Sequence, residues 1–212
     1  MSATRTRLPR ADRMEQTLVV AHELFAERGY ASVTMDEVAA AVGVTKPLLY
    51  NYFGNKERLY IACMERAGDA LVATVVAAVD RADEPGDALR LGLQAFFAFV
   101  DTDRATWKVL FDETLPTGGE IAARVGEYRT RITDLVAGSL LAQLPADRRD
   151  RARVEVEALS TALLGAAESL ARWWLRTEAF SASAAAELLI ATVEPGLRLR
   201  AAAPAKGGPR TP

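Results

Sequence analysis

Between Thr34 and Lys56 the stretch "TMDEVAAAVGVTKPLLYNYFGNK" alternates residues that start helices with residues that stop them. Thr34 stands three positions before Glu37, the spacing of a capping box, in which a hydroxyl takes a backbone N–H while the carboxylate reaches back. Val38, Ala41 and Val42 supply apolar positions, and Gly43 ends the helix because a tight turn favours a residue that accepts positive φ. Thr45 is placed to cap a second short helix, with Pro47 in its first turn, where a missing N–H costs little. Gly54 stops that helix and Asn55 can cap the next. Two short helices meeting at "AVGV" form a helix-turn-helix pattern, whose second helix can lie in the DNA major groove.

The rest of the chain reads as helix too. Apolar residues recur at three- and four-residue steps, and no stretch shows the alternation of a strand. Met14, Leu18, Ala21 and Phe25 give one face of a first helix that ends at Gly29. A fourth helix runs from Lys56 to Asp80 and a fifth carries Leu89, Leu93, Phe96, Phe97 and Val100. A short sixth holds Trp107, Leu110 and Phe111 and stops at "PTGG". A seventh spans Glu120 to Leu144, a long eighth Asp147 to Thr177, and a ninth starts at Ser181 or Ser183 and is broken by "EPG" at 194–196. The expected fold is all-α: an N-terminal three-helix DNA-binding domain followed by a larger bundle, about nine helices together. The expected domains are a basic arm (1–11), the helix-turn-helix domain (12–60), a ligand-binding and dimerisation domain (61–200) and a disordered tail (201–212).

Composition removes several classes of function. No apolar run approaches the eighteen residues of a membrane span, and the basic, polar N-terminus lacks the apolar core of a secretory signal. One cysteine, Cys63, allows no internal disulfide and fits a reducing cytoplasm. His22 is the only histidine. "HELFA" begins like a zinc-protease helix, but Ala26 holds the place of the second histidine. With no phosphate loop and no GxGxxG, neither an enzyme, a cofactor nor a metal is expected. Net charge is close to neutral, so the sharper electrostatic signal is local: Arg5, Arg7, Arg10 and Arg13 at the N-terminus.

Thr34 and Thr45 stand at helix starts, where hydroxyls and free N–H groups can meet phosphate oxygens. Lys46 lies in the first turn of the third helix, the end that points at base edges. Tyr50 and Tyr52 carry hydroxyls that reach phosphates. Lys56 opens the fourth helix, where its charge opposes the helix dipole unless an anion is near. The run from Thr34 to Leu59, with Gly29-Tyr30 before it, resembles the TetR family of bacterial transcriptional regulators: a Thr, a Val-Ala pair, Gly-Val, a Thr, then Leu-Tyr-x-Tyr-Phe and a Lys. The resemblance implies that Thr34, Tyr50 and Lys56 contact phosphates, that Lys46 reads bases, that Pro47 touches a thymine methyl and that Tyr52 lines the backbone. Leu49 and Phe53 would pack inside. Leu48 and Asn51 depart from the family's frequent choices: Leu48 can meet a thymine methyl, and Asn51 an adenine edge or a phosphate.

The resemblance also implies a C-terminal body that binds a small ligand and dimerises through its last two helices. The sequence supports the second part on its own. Ala162, Gly165, Ala166 and Ser169 stand at steps that allow close helix approach, with Leu188, Leu189, Thr192 and Val193 as a companion face. Candidate pocket residues are Phe96, Phe99, Trp107, Phe111, Tyr128, Trp173, Trp174 and Glu168. Glu168 lies in the apolar run "LLGAAESLA" and needs a partner there. It either pairs with Arg172 one turn on or faces a cavity and orients a ligand. Asp112 and Glu113 carry the same ambiguity. The expected protein is a cytoplasmic, ligand-responsive repressor that binds double-stranded operator DNA as a homodimer and is released by a small, largely apolar effector, with the fourth helix as lever. The alternatives are an activator, or a helical adaptor using the same domain without effector control.

Overall fold

The computed structural model describes residues 9–112 and 114–202. Most of the basic arm, including Arg5 and Arg7, lies outside the described residues, as do Glu113 and the tail from residue 203. Nine helices and no strand occur among those described: α1 (Arg10–Ser32), α2 (Met35–Val42), α3 (Lys46–Phe53), α4 (Lys56–Val79), α5 (Pro85–Thr102), α6 (Arg104–Leu110), α7 (Gly119–Ala142), α8 (Ala146–Thr177) and α9 (Ala182–Ala202). None is long and apolar enough to cross a membrane.

The helices fall into two compact units. Of the described residues, one unit holds those up to Val72 together with Thr102–Tyr128, and the other holds Ala73–Asp101 together with those from Arg129 to Ala202. In the first unit α1 packs on α2 and α6, and α2 packs on α3. Its centre is aromatic: the Tyr60 ring meets Phe25 edge-on at 4.9 Å and Tyr30 at 5.0 Å. Tyr60 is fully buried, and its hydroxyl donates to the Val109 carbonyl. A buried polar group needs such a partner.

Gly29 does not end α1 but kinks it, at φ 76 and ψ 160, a region essentially reserved for glycine. The helix resumes through Tyr30, whose N–H donates to the Asp112 carboxylate at 2.6 Å. The same carboxylate accepts the Thr114 N–H and hydroxyl, both at 2.7 Å. Asp112 therefore ties the loop after α6 to the kink of α1. Tyr128 packs against Gly68, where a Cβ would come within 2.6 Å of the ring, and its hydroxyl donates to the Glu65 carbonyl at 3.0 Å.

In the second unit Phe97 and Trp174 are buried and meet edge-on at 6.2 Å, and the Trp174 indole N–H donates to the Phe180 carbonyl. Arg90 on α5 pairs with Glu187 and Glu194 on α9.

Three further expectations change. "EPG" does not break α9, which runs through Pro195. Proline keeps a helical φ and forfeits only the bond to the residue four before it, Ala191, which is exposed and can give its carbonyl to water. The sixth helix stops at Leu110, with Phe111 as its C-cap, before "PTGG" is reached. Thr45 occupies the N-cap position of α3 but makes no side-chain capping bond.

Candidate nucleic-acid interface and effector cavities

The helix-turn-helix is built by local chemistry. Thr34 has extended backbone (φ −113, ψ 155), its hydroxyl accepts the Glu37 N–H at 3.3 Å, and Glu37 Oε2 accepts the Thr34 N–H at 2.8 Å. The other Glu37 oxygen meets Arg28 at 2.7 Å. Hydrogen bonds from the Thr34 hydroxyl, then Arg28, then the Thr34 backbone hold the Glu37 carboxyl down at about 2. Gly43 closes α2 in the left-handed conformation, φ 73 and ψ 36, with its N–H turned back to Ala39 and Ala40. Asn55 caps α4 by accepting the Arg58 N–H at 2.8 Å.

This framework sorts α3 into two faces. Leu49 and Phe53 are buried, while Thr45, Lys46, Pro47, Tyr50 and Asn51 are exposed and Leu48 and Tyr52 half-buried. Arg10 sits over the Tyr52 ring at 5.5 Å, so a basic residue of the N-terminal segment joins this face. Three of its polar groups, Thr34, Lys46 and Lys56, already have partners within the chain. Thr34 donates to Glu37 at 2.7 Å. Lys46 Nζ lies 2.7 Å and 3.0 Å from the two Asp36 oxygens. Lys56 Nζ donates to the Ala31 carbonyl at 3.2 Å and sits 4.4 Å from the Tyr30 ring centre. Burial lowers the Lys56 pKa, whereas hydrogen bonding to Asp36 raises that of Lys46. Sequence reasoning missed Asp36 and Arg28, and missed the contact of Arg10 with Tyr52, because no helical step links residues on different helices.

Among the described residues of the second unit, two cavities involve candidate ligand residues. One, of about 160 Å³, is almost wholly apolar and opens among α4, α5, α7 and α8, with Val75, Leu89, Phe96, Ile132, Val136 and Leu163 on its wall. The other, of about 510 Å³, is a cleft between α7 and α8 bordered by the polar residues Arg129, Thr133, Asp134, Glu157, Thr161 and Glu168. Leu164 borders both. Glu168 pairs with Arg129 of α7 through two bonds, at 3.2 Å and 2.8 Å, and not with Arg172. It is only 6% exposed, and a bidentate guanidinium satisfies a buried carboxylate better than a lysine-like point charge.

Of the other candidate pocket residues, Phe96 lines the apolar cavity. Phe99 is half-buried on α5 but does not line either cavity. Trp107 and Phe111 stack on one another at 4.0 Å in the first unit, where Tyr128 also lies. Trp173 is 42% exposed beside Phe180, and Trp174 is buried. The wall of the smaller cavity is mostly aliphatic, and of the candidate aromatics Phe96 alone lines it.

His22 is half-buried with Nε2 3.3 Å from the Thr106 hydroxyl, which itself donates to Asp103 at 2.7 Å. Desolvation lowers its pKa. Burial pushes the Cys63 thiol up to about 12, which leaves it a poor nucleophile.

Comparison with known proteins agrees with this architecture. Residues 18–63 match the family model of bacterial regulatory proteins of the tetR family, and residues 85–194 match a tetracyclin repressor-like C-terminal domain. The HTH-type transcriptional activator FasR of Mycolicibacterium smegmatis is 34% identical over 81% of this chain and 76% of its own length. A TetR-like transcriptional regulator from Rhodococcus sp. RHA1 superposes with a TM-score of 0.71 at 33% identity, covering 91% of this chain and 99% of that one. AibR, solved in complex with isovaleryl coenzyme A and operator DNA, shares the fold at a TM-score of 0.66 and 22% identity, covering 85% and 97%. The chain belongs to the TetR family and is a DNA-binding transcriptional regulator, not an enzyme.

Proposed function

We propose that the protein is an effector-controlled repressor that binds operator DNA as a homodimer through α2 and α3. The observation that carries the DNA site is the division of α3: Leu49 and Phe53 are buried, while Lys46, Pro47, Tyr50 and Asn51 are exposed on the face that α2 leaves open. On this reading Thr34, Thr45, Tyr50, Tyr52 and Lys56 meet phosphates, and Lys46, Pro47, Leu48 and Asn51 meet base edges. The test is selection of bound duplexes from random DNA, followed by a shift assay at physiological salt. Lys46→Ala is expected to lose about tenfold or more in operator affinity. Binding indifferent to both Lys46→Ala and Tyr50→Phe would end the assignment.

The homodimer rests on exposed small residues of α8, Ala162, Gly165, Ala166 and Ser169, beside the half-exposed Leu188 of α9. A twofold pair of recognition helices would read half-sites one turn apart, roughly 34–36 Å. A monomer mass by light scattering at micromolar concentration would remove this element.

The effector carries an apolar group suited to the aliphatic cavity. AibR binds isovaleryl coenzyme A, and although likeness at that identity carries only the fold, it makes short acyl-coenzyme A esters the first probes. Gly92 borders the cavity, with a Cβ there 3.3 Å from Val79. Gly92→Val is expected to abolish release by the effector while leaving operator binding intact. The effector acts by preferring a different conformation from the one DNA selects, with a coupling free energy of typically about 1–3 kcal/mol. α4 carries both Lys56 and the cavity residues Val75, Val76 and Val79, which makes it the lever. Such a regulator works in the cytoplasm, with the chromosome. Activation is the second reading, favoured by the name of the relative FasR; transcription in vitro from the selected operator decides the sign.

A further inference from the structure

The contact between Asp36 and Lys46 asks for an explanation that stability does not give. Both side chains are exposed, 65% and 55%, and a surface ion pair of this kind adds little to stability. Asp36 is not needed to cap α2 either, because Thr34 and Glu37 complete the capping box without it. Yet the carboxylate stands on the most cationic feature of α3, and it adds a negative charge to a face that has to approach phosphates.

We propose that Asp36 is a specificity-determining residue: it withholds Lys46 from the phosphate backbone and reserves the ammonium, with its own carboxylate alongside, for one G·C base pair. The inference rests on the reading that Lys46 meets DNA. A lone lysine is satisfied by any phosphate, and that sequence-independent attraction dominates non-specific binding. Lys46 instead starts with both Asp36 oxygens within 3.0 Å, so a single phosphate oxygen offers it little that it lacks. A guanine presents two acceptors together, N7 and O6, which compete better for the ammonium. The partner cytosine presents its N4 amino donor next to O6, and the released carboxylate can accept that hydrogen. The pair thus presents a donor beside an acceptor, the complement of the major-groove edge of G·C.

The experiment compares wild type, Asp36→Asn, Asp36→Glu, Lys46→Ala and the Asp36→Asn/Lys46→Ala double variant as full-length proteins. Each is titrated by fluorescence anisotropy into the selected operator and into a scrambled duplex of equal length, between about 50 and 200 mM salt. Asp36→Asn is expected to bind the scrambled duplex more tightly, to steepen its salt dependence by about one phosphate contact per subunit, and to lower the operator-to-scrambled ratio about tenfold. Sites reselected with Asp36→Asn are expected to lose one G·C requirement per half-site. Asp36→Glu is expected to keep most of the ratio, and Asp36→Asn is expected to leave the ratio unchanged once Lys46 is alanine. Thermal unfolding of Asp36→Asn close to wild type separates these effects from misfolding. An unchanged ratio in Asp36→Asn, or equal weakening on both duplexes, overturns the inference. If Lys46→Ala loses operator affinity while Asp36→Asn behaves as wild type, only this inference fails. If Lys46→Ala binds as wild type does, the reading beneath it fails as well.

Discussion

The proposed reading surface on α2 and α3 and the apolar cavity of the second unit are opposite kinds of candidate site. The surface is assembled from exposed polar side chains on and beside two eight-residue helices, and at Thr34 and Lys46 it is held in local bonds that DNA would have to replace or extend. The cavity is a hole left by aliphatic side chains from four helices far apart in sequence. The first can discriminate by charge and hydrogen bonding, the second chiefly by volume. Substitutions should therefore separate binding from stability on the surface and merge them in the interior.

The largest effect is expected at two adjacent residues of α3. Leu49→Ala should cost about 2–5 kcal/mol in denaturant unfolding, because the side chain is fully buried. Tyr50→Phe next to it should leave unfolding unchanged and weaken operator binding; equal destabilisation by both would break the division of α3 into two faces. In the second unit, Arg129→Ala strands the Glu168 carboxylate, whose side chain is 7% exposed, and should cost about 1–3 kcal/mol. That figure lies below the cost for a fully buried pair because the Arg129 side chain is 49% exposed. Thermal melts of Arg129→Ala and of Glu168→Gln check it, since the neutral amide is expected to be tolerated better than the stranded charge.

Smaller effects sharpen the local picture. Thr34→Ala should cost about 1 kcal/mol, the usual value of a working N-cap, whereas Thr45→Ala should change stability by only a few tenths because its side chain makes no capping bond. The smallest effect is a pH dependence. The Glu37 carboxyl lies below its ordinary value of 4.5, so its contribution is complete above that value and is lost as pH falls toward about 2. Glu37→Gln keeps the geometry of a capping box without titrating. The gap in melting temperature between wild type and Glu37→Gln should therefore narrow as the solution is acidified through that window.

How legible each region was follows the same contrast. Thr34 with Glu37, Gly43, Gly54 and Asn55 all act within four residues of themselves, and each behaves as its chemistry predicts. Thr45 reads as a cap yet makes no such bond. Its side-chain rotamer depends on surroundings that no spacing encodes. Glu168 was legible as a charge needing a partner, but the partner came from α7, 39 residues away, and not from the next turn of its own helix. The cavity was least legible. Aromatic residues advertise themselves in a sequence, yet Trp107 and Phe111 are satisfied by each other, and Tyr128 by Gly68 and Glu65. An empty volume is a property of what several helices fail to fill.

The bond from the Tyr30 N–H to Asp112 has a practical consequence for anyone wishing to transplant the reading head. The family model for the DNA-binding part ends at residue 63, which invites a cut there. Yet the compact unit around that part includes Thr102–Tyr128, which supplies the Asp112 carboxylate for the α1 kink, the Val109 carbonyl for Tyr60 and the Tyr128 ring for Gly68. A chimaera that grafts only the first 63 residues onto a foreign body discards all three. A graft that also carries residues 102–128 keeps the module whole, so the exchangeable part of this regulator is discontinuous in sequence.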